Sequence, residues 1–303
     1  MHPLITVSAP VKQALENKRA VVALESTIIT HGMPYPENLE TAKSVEAAVI
    51  KAGATPATIA VINGELKIGL SAAELDALAQ SDHASKLSRA DLAYAVAQRI
   101  TGSTTVAATM IAAHLAAIDV FATGGIGGVH RGASDTFDIS ADLQELANTP
   151  VTVICAGAKA ILDIPKTLEV LETFGVPVIA YGQTNFPAFW SCDSGLAAPL
   201  RIDNESDIVR FMQTRKALDI KGGMLIGNPV PAADEINRTT MEKTIVQALQ
   251  DAEDAQVNGK NVTPWLLGRI VELTDGKSLV TNQSLIKNNA TLAASIAVTL
   301  CNS

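Results

Sequence analysis

Short apolar runs, each stopped by Gly, Pro, Asn or a charged residue, alternate along the chain with longer stretches whose apolar residues return every three or four positions. The first pattern reads as buried strand and the second as amphipathic helix. Strands are expected at 20–24, 58–62, 65–70, 118–122, 151–156, 177–181 and 223–227. Helices are expected at 8–17, 37–52, from Ser71 onward, to about Ala117 after the Gly102–Val106 segment, and at 162–174, 205–218, 233–255, 263–274 and 285–300. Asn63-Gly64 between two strand-like runs predicts a two-residue hairpin, so one pair of strands runs antiparallel. Ser71 with Glu74 three residues later predicts a capping box. Gly53 stands just past a helix end, where a left-handed cap belongs. Thr30 to Pro36 reads as a turn-rich loop. No repeat and no linker interrupts the alternation. The pattern predicts an α/β fold: one three-layer α/β/α sandwich over residues 1–303, with a mixed, mostly parallel central sheet.

The stretch 121–143, FATGGIGGVHRGASDTFDISADL, stands out. An apolar run breaks into Gly124-Gly125-Ile126-Gly127-Gly128, which permits positive φ and leaves no side chains between the backbone and a ligand. His130 and Arg131 follow as phosphate or carboxylate contacts. Asp135, Asp138 and Asp142 come next, spaced among hydroxyl residues. Basic groups beside spaced carboxylates suit an anionic substrate with a divalent cation. The same stretch also reads as a plain strand–loop–helix connection with Ser140 or Asp142 as N-cap. It is no Walker loop, since GxxxxGK[ST] is missing, and His130 stands where GxGxxG needs its third glycine.

Two strand ends carry further chemistry. Glu25 ends the run 20–24, a usual site position in α/β folds, though a strand-end Glu facing water reads equally well. Lys159 follows the run 151–156 and Gly157. It either snorkels to solvent or sits desolvated, where a lowered pKa gives the neutral amine that Schiff-base chemistry needs. Lys86 and Arg89 lie near a helix start, where cations sit badly against the dipole unless an anion joins them. His114, among Ala, Ile and Leu, reads as a core or interface histidine. Phe186, Phe189 and Trp190 form an aromatic cluster around Pro187, fit for core packing or for walling a planar ligand.

Composition narrows the classes. The 303 residues are 48% hydrophobic, and 31 acidic against 23 basic residues give a net charge of −8. With no basic run, a nucleic acid polymer is not the expected partner. No apolar stretch approaches the ~20 residues a membrane span needs, and no signal peptide is expected. Three well-separated cysteines, Cys155, Cys192 and Cys301, fit a reduced, cytoplasmic setting.

The blocks ALESTIITHGMPYPEN, KLSRADL, GSTTVAATM, FATGGIGGVHRGASDTFDISADL, CAGAKAILDIPKTLEVLET and TDGKSLVTNQSLIKNNA resemble, in order and over about 8–300, the pseudouridine-5′-phosphate glycosidase or indigoidine synthase A-like family. The resemblance implies cleavage of the C–C glycosidic bond of a small nucleotide, pseudouridine 5′-phosphate, to uracil and ribose 5-phosphate, reversible in principle. It also implies manganese or another divalent metal, and a homotrimer of α/β/α subunits. By motif, Lys159 corresponds to the Schiff-base nucleophile and Glu25 to the proton donor. Lys86, Val106, Ser140, Ala141 and Asp142 correspond to substrate-binding positions, Asp138 to the metal ligand and Asn282 to a late active-site asparagine. Cys192 stands where an arginine is expected in many relatives, which bears on affinity or substrate range if that position meets ligand. Larger relatives carry a fused sugar-kinase domain, for which 303 residues leave no room.

A carbon-linked uracil offers no basic atom at the scissile bond, so a two-carboxylate glycosidase lacks its usual leaving group. An amine on C1′ of an opened sugar, with an acid to protonate uracil C5, supplies what is missing. Two rivals share the residues. A class I aldolase-like lyase also uses a lysine imine but releases no uracil. A non-catalytic phosphosugar sensor needs neither Lys159 nor Glu25.

Overall fold

A computed structural model describes residues 2–257 and 262–303. The first half runs β1 (Ile5–Val7), α1 (Ala9–Glu16), β2 (Val21–Leu24), α2 (Thr27–His31), α3 (Glu37–Lys51), β3 (Thr55–Ile62), β4 (Glu65–Ile68), α4 (Ala72–Ala79), β5 (Ser85–Leu87), α5 (Arg89–Ala97), β6 (Gly102–Thr104), α6 (Val106–Leu115) and β7 (Val120–Ala122). The second half runs α7 (Ala133–Thr136), α8 (Ala141–Asn148), β8 (Thr152–Cys155), α9 (Ile164–Thr173), β9 (Val178–Tyr181), β10 (Leu200–Ile202), α10 (Glu205–Ala217), β11 (Met224–Gly227), α11 (Arg238–Asp254), α12 (Val262–Leu273) and α13 (Lys277–Cys301).

The strands form one sheet in the order β1-β4-β3-β2-β7-β8-β11-β9-β10, with β6 also on β3 and β5 on β6. Only β3 runs antiparallel to its neighbours β4 and β6; the other pairs are parallel. The expected hairpin is present. Ile62 faces Glu65, and Asn63 and Gly64 take φ of 52° and 81°, as a type I′ turn demands. β2, β7, β8 and β11 are buried at every position, which is why they read as unbroken apolar runs. Helices cover both faces. On one, α13 lies across β2, β7 and β8 and packs on α3 and α10; on the other, α6 packs on α8 and on β2, β3 and β7. The small faces of Ala107, Ala108, Ala112 and Ala113 bring α6 close to the sheet.

Several expectations are corrected. The loop expected from Thr30 starts later: Thr30 and His31 close a short helix, Thr27–His31, in which the Ile29 amide donates to Ser26 O at 2.9 Å, and the turns follow from Gly32 to Pro36. The last helix begins at Lys277, so Thr281 and Asn282 lie inside it. Gly276, at φ 80°, supplies the stop that precedes it, and the Thr281 hydroxyl donates to Asp234 O at 2.8 Å, lying 3.1 Å from Lys277 O. Of the two readings of His114, core or interface, the core one falls, since His114 is exposed on α6. The three-residue strands β1, β5 and β6 carry too little alternation to be read from sequence.

From β2 the chain passes to β3 on one side, and later returns as β7 on the other. The sheet order therefore reverses between β2 and β7. Beyond the carboxyl ends of such strands a crevice opens, where doubly wound folds bind ligands.

Candidate active site

Three adjacent parallel strands deliver the central residues. Glu25 follows β2, Thr123 to Gly128 follow β7, and Gly157 to Lys159 follow β8. The β7–β8 ladder continues into these loops. Ala156 N donates to Gly124 O at 2.9 Å, Ile126 N to Gly157 O at 3.1 Å, and Lys159 N to Ile126 O at 3.1 Å. The backbone of Lys159 is thereby fixed to the glycine-rich loop.

That loop is glycine-rich for a reason the sequence does not disclose. None of its four glycines has positive φ. A side chain on Gly125 would meet the Phe189 ring at 2.7 Å, on Gly127 the Asp142 carboxylate at 2.8 Å, and on Gly128 the Thr167 methyl at 2.9 Å. Three of the four are small because neighbouring side chains occupy the space. Gly124 alone has ordinary room, with Leu285 at 3.5 Å.

Glu25 is buried, and the Thr123 hydroxyl donates to its Oε1. Burial pushes the Glu25 carboxyl above the usual carboxylate range. Lys159, the Thr123 hydrogen bond and Lys86 pull it down, while Asp142 adds to the rise. Desolvation is the largest of these effects. Glu25 therefore holds a proton at pH values where exposed carboxyls have lost theirs, as a general acid requires. Lys159 is half-buried and shares two hollows with Glu25.

The first hollow is a small chamber of about 50 Å³ walled by Phe189, Leu285, Gly124, Gly125, His31 and Asn282. The Asn282 Oδ1 is buried without a hydrogen-bond partner, the one such side-chain atom among the described residues. Buried polar atoms are rarely left so, and on a residue that lines this chamber such an atom asks for a donor. His31 accompanies it, its imidazole pK lowered by burial and then by Lys86.

The second hollow is an open cleft of about 580 Å³, within the ~300–1,000 Å³ range of ligand sites. The first turns of α6 and α8 meet there, at Val106 and at Ser140 to Asp142. Oriented amides at two helix starts, beside Lys86 and His130, suit an anion. Asp142 has an internal task. Its carboxylate accepts from Gly127 N at 2.8 Å and Ala107 N at 2.9 Å, stitching the loop to α6. Asp138 is exposed on the cleft wall, its Oδ2 3.7 Å from His130 Nδ1. Burial lowers the His130 pK; Asp138 raises it, while Lys159 and Lys86 lower it. No group of three or more His, Cys, Asp or Glu is arranged to hold a metal among the described residues.

Two expected anion contacts lie elsewhere. Arg131 turns away from the cleft and forks onto Glu242 at 2.7 and 3.1 Å. Arg89 pairs with Glu145, whose side chain is fully buried. The buried carboxylate of Glu145 needs a cation, so Arg89 is spent on structure, while Arg131 meets a half-exposed Glu242 at the surface. Cys192 lies outside both hollows, its thiol on Val230 O at 3.1 Å and its pK pushed up to about 11 by burial and Glu235. In the aromatic cluster, Phe189 and Trp190 meet edge to face at 5.0 Å and are core; Phe189 also walls the chamber. Reading by residue type missed Thr123 and His31. Thr123 carries one usable signal: it ends β7 as Glu25 ends the adjacent β2.

The family model "Indigoidine synthase A like protein" matches residues 10–299. A pseudouridine-5′-phosphate glycosidase of Paracoccus denitrificans is 60% identical, with 99% of each chain covered. One of Solibacter usitatus is 61% identical, over 99% of this chain and all of its own. Among solved structures, the prealnumycin C-glycosynthase AlnA in complex with ribulose 5-phosphate superposes with a TM-score of 0.92, at 35% identity, covering 100% of this chain and 98% of its own. An indigoidine synthase A-like protein of Thermotoga maritima gives 0.89 at 32% identity, covering 99% and 98%. The chain belongs to the indigoidine synthase A-like family.

Proposed function

We propose that this family member is a pseudouridine-5′-phosphate glycosidase, releasing uracil and ribose 5-phosphate by hydrolysis of a C–C glycosidic bond. The observation that carries the reading is the buried carboxyl of Glu25, its pK raised by desolvation, sharing its chamber with the amine of Lys159. Relatives at about 60% identity over nearly the full chain carry that activity in their names, and a structural relative holds a pentose phosphate.

The steps follow from the groups present. The Lys159 amine bonds to C1′ as the bond from C1′ to the ring oxygen opens, and one proton of the attacking nitrogen passes to that oxygen, restoring the nitrogen lone pair. The nitrogen lone pair then forms C1′=N while the bond from C1′ to uracil C5 breaks. The electron pair of the broken bond goes to C5, where Glu25 delivers its proton. Water adds to the iminium, freeing ribose 5-phosphate and the amine. The Asn282 Oδ1 accepts an N–H of the base. The phosphate lies in the cleft against Lys86, His130 and the amides that open α6 and α8.

Asp138 would hold manganese. One exposed carboxylate fits a hard cation completed by water and substrate oxygens, rather than a protein cage. When bound, such an ion supplies charge that organises phosphate and sugar oxygens. The homotrimer implied by the family belongs to the same proposal; sedimentation at three times the 31.6 kDa chain mass would support it. The C-glycosynthase relative favours a second direction through the same site, joining a base to a pentose phosphate. No helix among the described residues is long and apolar enough to cross a membrane.

The test is incubation with pseudouridine 5′-phosphate and Mn2+, following free uracil by chromatography. Uracil release in step with ribose 5-phosphate is expected. Turnover of a pentose phosphate to shorter sugars, with no uracil from the nucleotide, would move the chain to the aldolase-like class.

A further inference from the structure

A hydrogen-bonded chain buried beneath the site runs from the middle of α13 to Glu25. Asn289 is fully buried. Its Nδ2 donates to Thr123 O at 2.8 Å and lies 3.4 Å from Gly124 O. Its Oδ1 accepts from Asn228 Nδ2 at 3.1 Å. Asn228 is itself buried just past β11, and its amide donates to Cys155 O at 2.8 Å. Thr123 is fully buried and gives its hydroxyl proton to Glu25 Oε1. Two buried asparagines thus tie α13 and β11 to the residue that grips the acid.

We infer that Asn289, held by Asn228, is a positioning residue that sets the Thr123 hydroxyl on Glu25 and so fixes which carboxyl oxygen carries the transferable proton. The inference rests on Glu25 as the acid of the proposed reaction. A threonine hydroxyl donates one proton. Spent on Oε1, it makes that oxygen an acceptor and leaves Oε2 to bear the acidic hydrogen. Where the hydroxyl points depends on the Thr123 backbone, whose N–H still donates to Ile154 O at 3.0 Å on the β8 side, while its carbonyl, past the last β2–β7 pair, receives no backbone amide among the described residues. Asn289 replaces the missing ladder bond there by capping the Thr123 carbonyl. An apolar residue would fill the volume and leave that carbonyl unpaired. Nothing in a helix facing a sheet otherwise calls for a fully buried amide. The remaining charged groups around Glu25 are Lys159 beyond β8, Lys86 on β5 and Asp142 on α8, and none belongs to this chain.

The test titrates the Glu25 carboxyl directly by 13C NMR of Glu-labelled protein, with Glu25→Gln assigning the signal, and follows kcat against pH beside it. In Asn289→Leu the Thr123 bond weakens. That bond holds the Glu25 pK down, so the titration midpoint moves up. The alkaline limb of kcat follows it, kcat falls about tenfold or more, and KM stays within about twofold. Asn228→Ala moves the midpoint the same way by less. Thr123→Val moves it at least as far as Asn289→Leu, and combining those two moves it no further. A midpoint unmoved in Asn289→Leu, or shifts that add in the double variant, would overturn the inference. Should Asn289→Leu fail to fold, an unmoved midpoint in Asn228→Ala does the same. Absence of uracil release by the unaltered protein would sink the proposed function, while the titration would still decide the role of Asn289.

Discussion

Two cavities share the segment around Lys159, and they differ in what their charges lack. On one side, the chamber and cleft hold a carboxyl whose pK burial raises and an amide oxygen without a donor. On the other side lies a cavity of about 360 Å³ between Arg131, Leu162, Met241 and Glu242. There the charged groups are answered within the protein. Arg131 forks onto Glu242, Asp163 meets Lys166 at 2.9 Å, and Arg238 donates to Ser194 O at 2.5 Å. His130 and Arg131 are neighbours in sequence but face different cavities. A site is marked by groups whose needs the protein does not meet, more than by volume or by charge.

The comparison is broken most directly at Glu25. Glu25→Gln is expected to lower kcat by roughly a hundredfold to ten-thousandfold, the usual range for lost general acid catalysis. The same change should stabilise the fold. A carboxyl whose pK is raised by folding contributes stability below its unfolded pK, near 4.5, that is lost as pH climbs through the folded value. The Tm advantage of Glu25→Gln over the unaltered protein should therefore grow from pH 4.5 upward. A constant advantage, or turnover within tenfold, would remove Glu25 from its role.

Lys86→Met comes next. One charge-assisted bond is worth about 1.5–3 kcal/mol, so kcat/KM for the phosphorylated substrate should fall roughly ten- to a hundredfold. Pseudouridine itself should be nearly indifferent to the change. Equal kcat/KM for pseudouridine and its 5′-phosphate in the unaltered protein would refute an anion site in the cleft.

Asp138→Asn should weaken Mn2+ binding, read by calorimetry, by about tenfold or more, since outer ligand charge sets the affinity of hard cations. EDTA should abolish activity, and Mn2+ should restore it. Full metal content in Asp138→Asn would pass the role to Asp135. Asp142 is no substitute, since both its oxygens already hold backbone amides.

The smallest effect belongs to the second cavity. Arg131→Ala should leave kcat/KM within about threefold, because its pair with Glu242 is part-exposed and worth about 0.2–1 kcal/mol. Tm should drop by only about 2 °C in a chain this long. A loss of a hundredfold would restore Arg131 to the substrate and collapse the distinction between the cavities.

Much of this was legible in the sequence. The buried strands announce themselves as apolar runs, and their ends mark Glu25 and Lys159. The turn at Asn63-Gly64 and the capping box at Ser71 are local chemistry, and both are present. What stayed hidden depends on partners far along the chain. Arg131 is claimed by Glu242, 111 residues later, and Arg89 by Glu145, 56 residues later. Thr123 meets Glu25 across 98 residues and Asn289 across 166. Spacing cannot rank such contacts, because only the packed sheet brings them together. Gly125 and Gly128 mislead for the same reason, since Phe189 and Thr167 crowd them from elsewhere in the fold, whereas Gly127 is crowded by Ser140 and Asp142 of its own stretch.

The most direct test of Lys159 as the covalent centre is borohydride added during turnover of pseudouridine 5′-phosphate, followed by peptide mass mapping. The account predicts one reduced pentose phosphate on the peptide that holds Lys159, and no adduct in Lys159→Ala. An adduct on another lysine, or uracil released at the full rate with no lysine labelled, would contradict it.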